Sequence, residues 1–150
     1  MPKNRASSFI LIADDDADDR LLLKQILTEN LSFDNFSFVE DGEELMDYLS
    51  RRGSYSARPA PRPNLILLDL NMPRKDGREA LREIKADPAL RRIPVLILTT
   101  SHAEEDMLSS YDLGANSYLT KPTTFERLDE LMQTVHRYWL EFVELPNPPA

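Results

Sequence analysis

Four places in the chain put residues able to do chemistry directly after an apolar run. Asp14, Asp15 and Asp16 follow the first, Asp69 closes another, Thr99 and Thr100 close a third, and Lys121 stands just past a fourth. In an open α/β sheet the ligand site lies beyond the carboxyl ends of the strands, so these residues converge if the runs are neighbouring strands. Carboxylates about 4 Å apart repel by roughly 4 kcal/mol per pair at an effective dielectric near 20, so something positive must sit among them. Oxygen donors without His or Cys select a hard cation. A site with few carboxylates and open positions suits Mg²⁺, which keeps waters and takes phosphate oxygens. Lys121 is a second positive point for an anionic group. The set is fit to hold a phosphoryl group, with a carboxylate as nucleophile.

Each residue also has a plainer reading. Asp14, Asp15 and Asp16 precede an apolar helical pattern and could be its cap and first-turn acids. Lys121 before Pro122 could be a loop lysine, and Thr99 a strand threonine. Asp69 is harder to dismiss, because no helix directly follows its strongly apolar run and an unpaired carboxylate there would be costly. The plain readings would all have to hold together at four strand ends.

The elements that must position these groups alternate along the chain. Five β-like runs, residues 9–14, 36–40, 65–69, 93–99 and 116–120, are separated by stretches with helical spacing of apolar residues. This predicts an α/β fold, a doubly wound parallel sheet covered by helices on both faces. The first, third and fourth runs are nearly continuous in apolar residues and belong at the sheet centre. A fourth helix is expected to start near Ala103, with Glu104, Glu105 and Asp106 at the positive end of its dipole and Gly114 as its left-handed cap. The fifth, over about residues 124–143, carries more apolar surface than one sheet face needs, including Tyr138, Trp139 and Phe142. For Trp139, core packing and an interface role both remain open. Residues 51–63, with Gly53, Pro59, Pro61 and Pro63, read as an exposed, partly polyproline-like loop. The expected organisation is an N-terminal tail over 1–8, one domain over 9–143 and a C-terminal tail over 144–150.

In combination the motifs resemble those of two-component response regulator receiver domains: "ADDD", "LILLDLNMPRKDG", "PVLILTT" and "SYLTKP", in that order. The resemblance implies a flavodoxin-like receiver fold, five strands in the order 2-1-3-4-5 with five helices. It implies that Asp69 is the phosphoacceptor for a sensor histidine kinase. Asp15 would ligate Mg²⁺ directly, Asp14 directly or through water, and Asn71 through its backbone carbonyl. Lys121 and Thr99 would take phosphoryl oxygens, Tyr118 would be the switch aromatic, and Pro122 sits where a cis peptide is usual. Thr100 and Thr123 depart from the family's usual small and aromatic residues at their positions. The phrases "LTTSHAEEDM" and "YWLEFVELP", with the long loop before the third strand, resemble stand-alone regulators that partner bacterial and cyanobacterial phytochrome kinases. That narrower likeness implies a light- or redox-sensing kinase, such as a phytochrome, as phosphodonor and a homodimer formed through the fourth and fifth helices and their strand, and the widened apolar stripe of the last helix offers Tyr138, Trp139 and Phe142 as its interface.

Composition narrows the alternatives. The chain has 150 residues and a net charge of −8, which fits one domain and gives no electrostatic footprint for nucleic acid. The absence of cysteine removes disulfides and thiolate chemistry and suits a reducing, cytoplasmic setting. The run at 9–13 is too short to span a membrane. Four scattered glycines form no phosphate loop, and His102 and His136 lack metal-ligand spacing. Arg51, Arg52, Arg58 and Arg62 read as a solvated loop, with partner docking as the lesser reading. The leading expectation is a phosphorylation-controlled switch, not an enzyme beyond its own phosphoryl transfer. The competitors are a phosphate-independent interaction module and a Mg²⁺-dependent phosphohydrolase, the latter disfavoured by Asn71 where a second carboxylate would be expected.

Overall fold

The computed structural model describes residues 8–146. Of the tails expected at 1–8 and 144–150, residues 1–7 and 147–150 lie outside the described residues. Five parallel strands, β1 (Ile10–Ala13), β2 (Phe36–Val39), β3 (Leu65–Leu68), β4 (Val95–Thr99) and β5 (Ser117–Thr120), form one sheet in the order β2-β1-β3-β4-β5. Its helices are α1 (Ala17–Gln25), α2 (Gly42–Ser50), α3 (Gly77–Ala86), α4 (Glu104–Asp112) and α5 (Phe125–Val135). π-helical turns continue α1 over Ile26–Asn30 and α5 over His136–Phe142. The predicted architecture and strand order are those observed.

Strand side chains alternate between faces, and the central strands split cleanly into two apolar layers. Leu11, Ala13, Ile66, Leu68, Val95 and Ile97 join the layer under α2 and α3, while Ile10, Ile12, Leu65, Leu67, Leu96 and Leu98 join the one under α1 and α5. Burial on both faces explains why β1, β3 and β4 read as unbroken apolar runs. The starts of α1, α2, α3 and α5 are set by side-chain caps, whereas α4 starts after Ala103 without one. Asp16 accepts from the Asp18 and Asp19 N–H groups, Asp41 from Glu44, Asp76 from Arg78 and Glu79, and Thr124 from Arg127. Gly114, at φ +108°, ends α4 as expected. Among the described residues no helix is long and apolar enough to cross a membrane.

The loop at 51–63 is exposed over most of its length, as expected, but it is anchored rather than free. It contains a 3-10 turn (Gly53–Tyr55) and buries Tyr55 and Ala60. The Tyr55 hydroxyl donates to Glu44 at 2.6 Å, and that of Tyr48 to the Pro61 carbonyl at 2.8 Å. Two aromatic rings in edge contact therefore pin the loop to α2. The arginines are used one by one: Arg58 lies over the Tyr55 ring, Arg52 pairs with Asp47, and Arg62 reaches the Ala89 carbonyl.

Burial pushes both phenols up to about 12, and at Tyr55 the bond to Glu44 adds to it. Spectrophotometric titration is expected to show two of the five tyrosines ionising near pH 12, well above the ordinary phenol. Folding favours the neutral phenols, so this contribution to stability is complete below about pH 10 and disappears as pH rises through about 12. Five phenols ionising together near pH 10 in the folded chain would refute the pinned loop.

Candidate functional site

The sheet brings the expected residues to its carboxyl edge. Ala13 and Leu68 are register partners, so the loops after β1 and β3 leave side by side and carry Asp14 and Asp69. The strand order puts β4 and β5 next, with Thr99 ending β4 and Lys121 following β5. Lys121 is tied to that edge through its own N–H, which donates to the Thr99 carbonyl at 2.7 Å.

The Lys121 ammonium donates to Asp14 Oδ2 at 2.7 Å, Asp69 Oδ2 at 2.9 Å and Asp19 Oδ2 at 2.9 Å. The remaining oxygens are held by the backbone: Asp14 Oδ1 accepts from the Asp16 N–H and Asp69 Oδ1 from that of Asn71. Asp14 and Asp69 are buried, whereas Asp15 is exposed. Burial pushes the Asp14 carboxyl above its usual range, against the hydrogen bond from Lys121. For Lys121 burial acts downward, but the three carboxylates outweigh it and hold the ammonium firmly protonated.

Asp14, Asp15 and Asp69 each offer an oxygen within 4.8 Å of the others, an all-oxygen donor set that fits a hard divalent cation. Of the three successive aspartates, the third is the helix cap, while the first two belong to this trio. The plain reading thus holds for Asp16 alone.

Thr99 is fully buried. Its hydroxyl oxygen faces the Ser101 N–H at 3.5 Å, the outer limit of a hydrogen bond. Half-buried Tyr118 donates its hydroxyl to the Ser101 carbonyl at 3.1 Å. Thr100 is exposed and lines a cleft of about 320 Å³ with Asp19, Lys121 and the apolar Leu22, Leu98 and Phe125. The Lys121–Pro122 peptide, whose isomer the sequence leaves open, is trans. Trp139 is half-buried against the layer under α1 and α5, which favours its packing role, while Tyr138 and Phe142 are exposed.

Sequence reasoning missed two partners. Asp19, in the first turn of α1, reaches Lys121 because helical Cα–Cβ bonds tilt toward the N-terminus, here toward the sheet edge. Asp106 lies in the first turn of α4 as expected, and its two oxygens are in addition bound by the Ser101 hydroxyl and the Arg78 guanidinium, which hold its carboxyl below the usual range. That network ties the β4–α4 loop to α3.

A parallel 2-1-3-4-5 sheet with an acidic trio, a lysine and a threonine at its carboxyl edge makes this a doubly wound α/β domain whose site suits a divalent cation beside an anion. A family model of the response regulator receiver domain matches residues 10–133, and the chain belongs to that family. The response regulator Rcp1 of Synechocystis sp. is 45% identical over 143 residues, covering 95% of each chain. The crystal structure of the phosphorylated cyanobacterial phytochrome response regulator RcpA is similar with a TM-score of 0.86 at 42% identity, covering 93% of this chain and 98% of that one. The Mn²⁺-bound form of Rcp1 gives a TM-score of 0.84 at 45% identity, covering 93% and 99%. The chain is therefore a receiver domain of two-component signalling with a divalent-metal site.

Proposed function

We propose that this receiver takes a phosphoryl group from a phytochrome-type sensor histidine kinase onto Asp69 and thereby changes its affinity for a protein partner. The carrying observation is the Lys121 ammonium held between Asp69 and Asp14 at the sheet edge. The phytochrome link is supported by the names of its relatives, the phytochrome response regulator RcpA among them.

In the transfer an Asp69 carboxylate oxygen attacks phosphorus, the bond from phosphorus to the donor imidazole nitrogen breaks, and its electron pair stays on that nitrogen. The product is an acyl phosphate on Asp69. Asp14, Asp15, Asp69 and the Asn71 carbonyl would hold the cation, Mg²⁺ in this reading, which neutralises phosphoryl oxygen charge when bound. Lys121 binds a phosphoryl oxygen and Thr99 donates its hydroxyl to another. Drawing the buried threonine inward loosens its contact with Ser101, whose carbonyl also holds Tyr118, so the ring and the β4–α4 loop repack. The exposed apolar side chains Leu108 and Tyr111 of α4 and Tyr138 and Phe142 of the π-helical continuation of α5 are the surface available to a second copy. The chain acts as a cytoplasmic switch, with no turnover beyond gaining and losing its own phosphoryl group.

Intact mass after incubation with acetyl phosphate tests this on the native chain and on Asp69→Asn, with and without Mg²⁺. One phosphoryl increment requiring both Asp69 and the cation is expected, and sizing of the two forms then reads their association. Failure of both acetyl phosphate and a phytochrome kinase to add the increment would overturn the assignment.

A further inference from the structure

Resting on that phosphoacceptor reading, we infer that Asp19 is a displaceable third partner of Lys121, a positioning residue that competes with the incoming phosphoryl group for the ammonium. An ammonium has three N–H donors. All three face carboxylates here: Asp14 at 2.7 Å, Asp19 at 2.9 Å and Asp69 at 2.9 Å. A phosphoryl oxygen can gain a hydrogen bond from Lys121 only if one of them gives way.

The three are not equivalent. The Asp14 and Asp69 side chains are 2% and 9% exposed, whereas that of Asp19 is 34% exposed. A released Asp19 carboxylate can be solvated by water, while a released Asp14 would remain a buried charge without its cation. Asp14 and Asp69 also belong to the oxygen trio suited to a cation, and Asp19 does not. Asp19 is therefore the partner that leaves. It borders the cleft that also holds Thr100 and Lys121, so its charge additionally opposes an anionic donor entering from that side. The arrangement keeps Lys121 engaged in the unphosphorylated chain and sets a threshold for the phosphoryl group.

The test is the rate of phosphorylation with acetyl phosphate and Mg²⁺ as a function of donor concentration. In the transfer Asp69 oxygen attacks phosphorus and the electron pair of the broken P–O bond leaves on acetate. Asp19→Asn is expected to lower the half-saturating donor concentration about fivefold, the scale of a half-exposed, screened ion pair, with a smaller change in the limiting rate. Asp19→Glu, which restores the charge, should return toward the native value. Asp18→Asn makes the same change in net charge one residue away, at an exposed position with no bond to Lys121, and should match the native chain. Equal half-saturation in the native chain, Asp19→Asn and Asp18→Asn would overturn the inference and leave the phosphoacceptor reading intact. No incorporation into the native chain would overturn both.

Discussion

Replacing Gly77 by alanine is expected to cost about 3 kcal/mol of folding stability, the upper end for overpacking. A Cβ at this position would lie 2.2 Å from the Asp69 carbonyl oxygen and 2.8 Å from Leu70 Cα. Both are backbone atoms of the segment that leaves β3, the central strand, so no flexible side chain can yield. Helix α3 cannot simply back away either, because the Gly77 N–H donates to the Leu70 carbonyl at 2.8 Å and Ala80, Leu81 and Ile84 of that helix are completely buried. The strain falls on Asp69 itself, so its alignment with Lys121 should suffer with the fold. Urea unfolding reads the first effect and the initial rate of acetyl phosphate labelling the second. An unchanged urea midpoint would show that the α3 start is more compliant than its hydrogen bonding indicates.

What could be read from the residues, and what could not, divides along physical lines. Strands buried on both faces are apolar without interruption, so β1, β3 and β4 were visible from composition alone. Their ends, together with that of β5, put Asp14, Asp69, Thr99 and Lys121 at one edge once the strand order is set. Roles fixed by a single side chain meeting its own backbone, such as the Asp16 cap, compete with functional readings in the sequence, because caps and ligands use the same residue types. The contacts that were missed join elements far apart in the chain. Asp19 with Lys121 and Arg78 with Asp106 depend on how two helices sit over the sheet, which periodicity does not encode. The loop at 51–63 is largely exposed as expected, and only its anchoring was hidden, for a related reason. Its prolines and arginines signal exposure, but two phenols with partners on α2 and within the loop decide its course.

Lys121→Met is the second substitution with a large expected effect, and its dependence on cation carries the information. Removing the ammonium leaves Asp14 and Asp69 buried without their shared counter-charge, and breaking such a buried pair costs about 3–5 kcal/mol. Part of this is recovered by protonation, toward which Asp14 is already biased by burial. The same two carboxylates belong to the oxygen trio fit for a divalent cation, so ammonium and cation repel across shared ligands in the native chain. Without Lys121 the trio should bind the cation more tightly, and a ligand at a hundred times its Kd stabilises by roughly 2.7 kcal/mol. In chelator the variant is therefore expected to unfold at much lower urea than the native chain, and added Mg²⁺ should narrow the gap. A Mg²⁺-induced rise in urea midpoint that is equal in both chains would mean that the cation is not held by the carboxylates Lys121 joins. Narrowing of the gap together with weak phosphoryl uptake would separate the two positive charges by role, the cation able to replace the lysine in neutralising the carboxylates but not in holding the incoming anion.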